Sequence, residues 1–217
     1  MPVWVGVTWL GVIAAAYLLG SVPSGLVVGR LIFGIDPRDY GSRRTGATNV
    51  LRTMGKKAAI VVTLMDLAKG VVAVSLARLL LPGEPWAHVL TAFAAAAGHN
   101  WPIFSGFRGG KGVVVSGAGV GMLYWPVFAI LMIVGPLLVW RTRYVSVGSM
   151  GGAISAPISG LYFYLRGMMP GEYLVYMVAA AVLVVWTHRE NIARLRAGNE
   201  NRVGQRVQTQ PETQPAT

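Results

Sequence analysis

The sequence contains no cysteine. Without thiols, the chain has no disulfide framework, no thiolate nucleophile and no cysteine-ligated metal. This absence excludes catalysis through a cysteine and leaves hydroxyl, amide, imidazole, carboxylate and cationic groups to carry any chemistry.

Charge is also scarce. Charged residues make up 12% of the 217 residues and hydrophobic residues 54%, whereas a typical soluble domain is about 25% charged. Together with long apolar runs, this composition indicates a polytopic membrane protein. Acidic residues are fewer than basic residues, since the chain has eight Asp and Glu but 19 Lys and Arg. In a membrane protein such a surplus marks the cytoplasmic side, so we expect no nucleic-acid partner.

Several catalytic signatures are missing as well. Lys111 is followed by Gly112 and not by Ser or Thr, and no strand is predicted before it, so the glycine-rich stretch is not the phosphate loop of a nucleotide triphosphatase. The sequence has no GxSxG elbow. Its carboxylates and histidines form no recognisable ligand set, so we expect no metal site.

The glycine-rich loop, residues 98–112, is the most informative stretch that is present. It reads GHNWPIFSGFRGGKG and lies between two apolar segments. Glycines beside a lysine suit a turn that directs backbone N–H groups at an anion while the cation closes the site. We therefore predict phosphate binding by Gly109, Gly110, Lys111 and Gly112; the alternative is a plain turn whose Lys and Arg extend to the membrane surface.

An earlier polar loop has a similar character. Within residues 41–52, GSRRTGATNVLR, the donors Ser42, Thr48 and Asn49 stand close to arginines that include Arg52. Hydroxyl, amide and guanidinium groups are the usual phosphate contacts. The alternative is a loop that is basic only because cytoplasmic loops are basic, which does not account for the Gly-Ala-Thr-Asn run.

Two further clusters follow. Ser146 and Ser149 lie one turn apart at a predicted helix start, where capping is the alternative role. His188 and Asn191 share a face in HRENIARLRAGNE, which also fits an interfacial amphipathic helix. His99, alone at a helix end, is more typical of a satisfied polar contact than of a catalyst.

One charged pair lies inside an apolar segment. Asp66 and Lys69 are spaced to meet on one helix face. Ionisable residues within a membrane helix are functional candidates by default, but a pair that neutralises itself is an adequate structural alternative, and both interpretations stay open.

The apolar segments predict an all-α helix bundle with about seven membrane crossings. The first runs from about Val3 to Phe33 and is interrupted near Pro23. Residues 113–140 are predicted to form two short helices that meet at Trp125-Pro126, because this places nearly all basic residues on one side. The remaining predicted helices are about 58–81, 86–97, 145–165 and 173–186. The positive-inside rule then puts the N-terminus outside and the C-terminus inside.

Four of these motifs together resemble the bacterial acyl-phosphate:glycerol-3-phosphate acyltransferases, a family of integral membrane enzymes. GATNVLR, GHNWPIFSGFRGGKG, RYVSVGS and HRENIARLRAGNE stand in the order and spacing of that family, and the resemblance covers about residues 8–200. One departure is local: where the family usually has Gly-Asn after Gly-Ser, this chain has Arg43-Arg44.

The resemblance implies transfer of a fatty acyl group from acyl phosphate to the sn-1 hydroxyl of glycerol 3-phosphate, with release of inorganic phosphate. It implies a seven-helix protein of the bacterial plasma membrane, surrounded by membrane lipids, with the active site toward the cytoplasm and no cofactor. Residues 1–200 would be one domain, followed by a polar, disordered tail at 201–217. By family match, the substrate-contacting residues are Ser42, Arg52, Lys111, Ser149, His188 and Asn191.

A transporter of a small phosphorylated metabolite is the main alternative, since it would use the same helices and cations. It predicts sites near the bilayer midplane and two similar halves, whereas these motifs lie in loops at one face. A structural membrane protein would explain the helices but not the clustered motifs. For the enzyme, we expect direct attack of the glycerol hydroxyl without an acylated residue, because the serines lack a histidine–carboxylate pair in the sequence.

Overall fold

The computed structural model describes residues 3–205, and these residues form an all-α bundle. The helices in this part of the chain are α1 (Val3–Ser21), α2 (Ser24–Val28), α3 (Ala47–Thr53), α4 (Lys56–Leu80), α5 (Pro85–Asn100), α6 (Val113–Leu123), α7 (Trp125–Thr142), α8 (Val145–Leu165), α9 (Gly171–Thr187) and α10 (Arg189–Arg196). A π-helical turn extends α2 through Gly29–Phe33, and short 3-10 turns cover Pro37–Asp39 and Ile103–Ser105.

The predicted interruption of the first helix is confirmed. α1 ends at Ser21, Pro23 stands in the break, and α2 resumes at Ser24, because proline removes a backbone donor and clashes with the preceding turn. Gly25 then lies directly against the carbonyl group of Thr45, where a methyl group would overlap it. The absence of a side chain at Gly25 therefore lets the first polar loop pack onto the bundle.

Residues 113–140 form two helices, as predicted. α6 ends at Leu123, Tyr124 is extended, and Pro126 lies in the first turn of α7, a position that proline tolerates well. Val203 N–H donates to the carbonyl of Arg143 at 2.8 Å, and Ser146 bonds to Glu200. These contacts join the end of α7 and the start of α8 to the end of the bundle that also carries the glycine-rich loop.

α5 runs further than the sequence suggests, ending at Asn100 rather than near Ala97. Gly98 does not stop this helix, because it packs against the backbone of Tyr17 and Ser21 in α1, where a side chain would collide. Small residues bring other helices together in the same way, as where Gly148 of α8 meets Gly135 of α7. Such close backbone contacts are typical of membrane helices.

The outer surface of the bundle is largely apolar, with exposed side chains such as Leu31, Leu79, Trp140 and Leu165. In the described residues, three helical stretches are long and apolar enough to cross a membrane, or four if the bent α9–α10 pair is one span. Crossing seven times remains a prediction. Residues 206–217 of the predicted tail lie outside the described residues.

Candidate functional site

A polar pocket of about 260 Å³ lies where the polar segments of the chain meet at one end of the bundle. Its wall includes α3, the end of the glycine-rich loop, the start of α8 and α10. The predicted substrate-binding residues that line it are Ser42, Thr48, Asn49, Arg52, Gly110, Lys111, Gly112, Ser146, Ser149, His188 and Asn191. Gly109 is placed behind this wall, against the carbonyl of His99.

The glycine-rich loop differs in detail from the expected turn of free N–H groups. Gly110 N–H donates to the carbonyl of His99 at 3.1 Å and is therefore not available to an anion. The wall of the pocket also includes Gly112, Val113 and Val114, which lie at the start of α6. The first turn of a helix has N–H groups without helical acceptors and carries a partial positive charge, so the start of α6 offers the backbone donors of this site.

Lys111 places its ammonium group inside the pocket. Its Nζ donates to Oδ1 of Asn191, which lies 80 residues further along the chain. Burial, together with the positive charge of Arg194, lowers the pKa of Lys111 to about 8. The ammonium is therefore still charged at neutral pH but less stable in its charged form than a solvated lysine, and a bound anion would stabilise that form.

Glu200 connects the residues around Lys111. Its carboxylate accepts hydrogen bonds from Asn191 Nδ2 at 2.6 Å, Arg194 Nε at 2.7 Å and Ser146 Oγ at 2.9 Å. Burial raises the pKa of Glu200, but the three hydrogen bonds and the charge of Arg194 outweigh burial, and the net pKa is lowered. Glu200 is the last residue of the HRENIARLRAGNE motif, but the sequence analysis assigned it no role; the scarcity of acidic residues was the signal that could have singled it out.

Asn49 shapes the first polar loop from inside. Its Nδ2 donates to the carbonyls of Pro37 at 2.7 Å, Arg44 at 2.9 Å and Tyr40 at 3.2 Å, while its Oδ1 accepts from Ser42 N–H at 2.9 Å. The amide is thus occupied by backbone partners. Asn49 therefore has a structural role, because it holds Ser42 at the pocket. The phosphate contact of Asn49 stays a prediction.

The two arginines that replace the Gly-Asn of the resembled family have different surroundings. Arg43 adopts a φ of 55°, a left-handed conformation that glycine takes without strain and arginine rarely adopts. Arg44 pairs with Glu190 of α10 at 3.3 Å. The loop therefore turns at Arg43 through a backbone conformation typical of glycine, and Arg44 forms a surface ion pair.

Arg52 and Thr48 lie on the same face of α3, one turn apart, and both reach the pocket. Burial is the largest influence on Arg52 and lowers its pKa, partly opposed by the charge of Glu200. A guanidinium remains charged at any physiological pH. Arg52 is therefore a second cation, besides Lys111, in the wall of the pocket.

His188 lies at the bend between α9 and α10 and is buried. Its Nδ1 is 2.7 Å from the carbonyl of Val184. A carbonyl only accepts hydrogen bonds, so Nδ1 carries a proton and Nε2 is the nitrogen available to a substrate. The neighbouring Thr187 Oγ1 donates to the carbonyl of Lys111 at 3.2 Å, which fixes the glycine-rich loop to α9.

An apolar cavity of about 520 Å³ adjoins the polar pocket. It lies between α6, α7, α8 and α9, and its wall includes Gly117, Phe128 and Met132. Val113, Val145 and Ser149 line both spaces. The two spaces are therefore adjacent, with a cationic pocket at the end of the bundle and an apolar cavity between the helices.

The described residues contain no group of three or more His, Asp or Glu side chains that could hold a metal ion. The pocket instead gathers cations, hydroxyl groups and one available imidazole nitrogen. This arrangement can neutralise phosphate groups and stabilise negative charge that develops during a reaction.

Comparison with known proteins gives a consistent result. The family model described as glycerol-3-phosphate acyltransferase matches residues 10–198. A glycerol-3-phosphate acyltransferase of Synechococcus sp. (strain JA-3-3Ab) is 44% identical over 206 residues, covering 94% of this chain and 98% of that protein. One from Gloeobacter violaceus is also 44% identical, over 90% of this chain and 95% of that protein.

Solved structures agree with these relatives. PlsY, an integral membrane glycerol 3-phosphate acyltransferase crystallised in its glycerol 3-phosphate form, is 36% identical with a TM-score of 0.83, covering 90% of this chain and 96% of that chain. Its lysophosphatidic acid form is 34% identical with a TM-score of 0.81, covering 91% and 96%.

Proposed function

We propose that this chain, which belongs to the glycerol-3-phosphate acyltransferase family and is an integral membrane acyltransferase, uses an acyl phosphate as its acyl donor. The acceptor would be the sn-1 hydroxyl of glycerol 3-phosphate, and the products 1-acylglycerol 3-phosphate and inorganic phosphate. The acyltransferase domain would comprise residues 1–200.

The observation that carries this proposal is the junction of the cationic pocket with the apolar cavity at Val113, Val145 and Ser149. A donor with a fatty chain and a phosphate head would lay its chain in the cavity and its head in the pocket. Glycerol 3-phosphate, a small dianion, would enter the same pocket from water. The pocket is small, which favours a phosphate leaving group over a bulky thioester carrier.

The residues divide into three roles. Lys111, Arg52 and the start of α6 neutralise the phosphate groups. Ser42 and Ser149 donate hydrogen bonds, and His188 and Asn191 orient glycerol 3-phosphate. Glu200 holds Asn191 in place through the 2.6 Å hydrogen bond, so it acts as a positioning residue.

The reaction proceeds by direct attack. The sn-1 oxygen forms a bond to the acyl carbon, and the bond between that carbon and the phosphate oxygen breaks with its electron pair remaining on phosphate. The hydroxyl proton passes to the acyl phosphate oxygens and leaves with the phosphate. No residue becomes acylated, because the donor is already activated and needs only positioning and charge neutralisation.

Purified protein in detergent provides the direct test. We expect phosphate release from palmitoyl phosphate only when glycerol 3-phosphate is present, with sequential kinetics. With palmitoyl-CoA as the donor we expect neither free CoA nor 1-acylglycerol 3-phosphate to form. Ping-pong kinetics, or an acyl group on Ser42 or His188 when glycerol 3-phosphate is withheld, would contradict direct attack. Turnover with palmitoyl-CoA in place of palmitoyl phosphate would contradict the donor, and transport without turnover would support a transporter instead.

We also propose that the protein lies in the bacterial plasma membrane with this site facing the cytoplasm. The basic residues cluster at the pocket end, while Arg166 follows α8 at the other end. Because the chain has no native cysteine, single substitutions report orientation cleanly. An impermeant thiol reagent applied to intact cells should label Arg166→Cys and spare Arg141→Cys. Labelling of Arg141→Cys would show that the orientation is the opposite of the one proposed.

A further inference from the structure

A buried charged cluster lies beneath the polar pocket, outside the residues assigned above. Oδ1 of Asp66 accepts from Ser24 Oγ at 2.7 Å and from Lys69 Nζ at 2.8 Å, and Lys69 also donates to the carbonyl of Val22. Asp66 and Lys69 are both nearly inaccessible to solvent. The two charges therefore neutralise each other and are fixed within the bundle. This pairing explains how charged residues are tolerated there, but not why they lie under the pocket.

The cluster continues to the glycine-rich loop through His99. Nδ1 of His99 lies 3.4 Å from Oδ1 of Asp66. A carboxylate only accepts hydrogen bonds, so this contact favours the tautomer that carries its proton on Nδ1. Asp66 and His99 both reach the wall of the polar pocket.

The loop rests directly on His99. A methyl group at Gly110 would overlap Nε2 of the imidazole, and one at Gly109 would overlap the carbonyl of His99. That same carbonyl accepts the hydrogen bond from Gly110 N–H at 3.1 Å. The two glycines are thus explained by close packing on His99, and the next residue along the chain is Lys111.

We propose that Asp66 and His99 are positioning residues for Lys111 and the start of α6. Asp66 positions the imidazole of His99, and the imidazole and carbonyl of His99 fix Gly109 and Gly110, so that Lys111 enters the pocket. The glycines of this loop act here as contact surfaces for His99 rather than as free N–H donors. This inference rests on the proposed function, because it assumes that the pocket binds phosphate groups.

The chain offers a matched control on the same helix. His88 is also buried in α5, where Nδ1 contacts the hydroxyl of Tyr173 at 3.2 Å and Nε2 contacts the carbonyl of Leu81 at 3.0 Å. It lies about 16 Å from His99 along the helix, at 1.5 Å per residue. His88→Ala removes a buried, hydrogen-bonded imidazole without touching the pocket.

The experiment measures kcat and KM for glycerol 3-phosphate, and the rise in Tm caused by inorganic phosphate, for His99→Asn, His99→Ala and His88→Ala. Asparagine at position 99 keeps a donor for Asp66 but does not reach Gly110. We expect both His99 variants to lose about 10- to 100-fold in kcat/KM, as for a displacement of about 1 Å in a catalytic site, and to lose the phosphate-induced rise in Tm. His88→Ala should lower the starting Tm and retain both site properties.

A double-mutant cycle tests the contact itself. Gly110→Ala should be severely impaired in the wild-type background, where the methyl group meets the imidazole. In the His99→Ala background the same change should add little further loss. Losses that multiply independently, or a His99→Asn enzyme with wild-type KM and phosphate response, would overturn the proposal.

The remaining outcomes are also decisive. If His99→Ala does not fold, His99→Asn carries the test; if neither folds, the role of His99 is structural and the proposal fails. Absence of turnover by the wild-type protein would refute the proposed function, whereas normal turnover with unaffected His99 variants would refute only this inference. The phosphate-induced change in Tm does not depend on turnover and separates these cases.

Discussion

The polar pocket and the apolar cavity are adjacent but are built from different parts of the chain. The pocket is formed by loops and helix ends, and its key groups are held by hydrogen bonds such as those of Glu200. The cavity lies between four helices, is lined by glycine and large apolar side chains, and meets the pocket at Val113, Val145 and Ser149. In the proposed function, the pocket would therefore act through charge and hydrogen-bond direction, and the cavity through its size and shape.

This difference predicts separable effects. Substitutions in the pocket should change turnover and affinity for glycerol 3-phosphate while leaving the preference among acyl chains unchanged. Substitutions in the cavity should change chain preference and leave the glycerol 3-phosphate affinity unchanged. A variant that alters both equally would show that the two halves are not independent.

The largest effect is expected for Lys111→Ala and Arg52→Ala. Both side chains are half-buried, and removing such a cation from the proposed phosphate site costs several kcal/mol, so kcat/KM should fall about 100-fold or more. The measurement is steady-state phosphate release with donors of several chain lengths, whose relative rates should not change. Arg108→Ala, an exposed cation of the same loop, is the control and should behave as wild type; near-normal activity of Lys111→Ala would remove Lys111 from the site.

Glu200→Ala should have the next largest effect. It removes the acceptor shared by Asn191, Arg194 and Ser146, and hydrogen bonds to a charged group contribute about 1.5–3 kcal/mol. We expect kcat/KM for glycerol 3-phosphate to fall roughly 10- to 100-fold.

Glu190→Ala is the matched control for Glu200. Glu190 is an exposed acid of α10 that pairs only at the surface with Arg44, and such pairs contribute little. Equal losses in the two variants would show that general acidity of this segment, and not the Glu200 hydrogen bonds, supports the site.

Gly117→Leu addresses the apolar half. The nearest group to a methyl at Gly117 is the Phe128 ring at 3.9 Å, so the longer side chain would fit locally and occupy the cavity. Activity with long-chain acyl phosphates should fall about tenfold relative to short ones, with an unchanged KM for glycerol 3-phosphate. Gly11→Leu on α1, which meets open space, is the control; an unchanged chain preference in Gly117→Leu would place the acyl chain elsewhere.

The smallest effect concerns pH. Because the pKa of Lys111 is lowered to about 8, the ammonium is charged below that pH and neutral above it. The kcat/KM profile, which reports the free enzyme, should therefore decline as pH rises through about 8. Lys111→Arg keeps its charge and should move this decline upward by more than about one pH unit; an identical decline in both enzymes would assign it to another group.

The sequence by itself determined the features that depend on neighbours along the chain. Apolar runs predict the helices, and Pro23 and Pro126 mark breaks because proline acts on its own turn. The short helix α3 and the extension of α5 to Asn100 were missed. In α5, packing of Gly98 against α1 overrides the weak helix propensity of glycine. The motifs also identified most residues that line the pocket.

Only the tertiary structure decided how those residues work together. The hydrogen bond from Lys111 to Asn191 joins residues 80 apart, and that from Ser146 to Glu200 joins residues 54 apart. The packing of Gly110 on His99 and the cavity between α6 and α9 likewise require the assembled bundle. Residue types predict which chemistry is possible, but distances between remote segments are fixed by helix packing, and the roles proposed for Glu200, Asp66 and His99 rest on those distances.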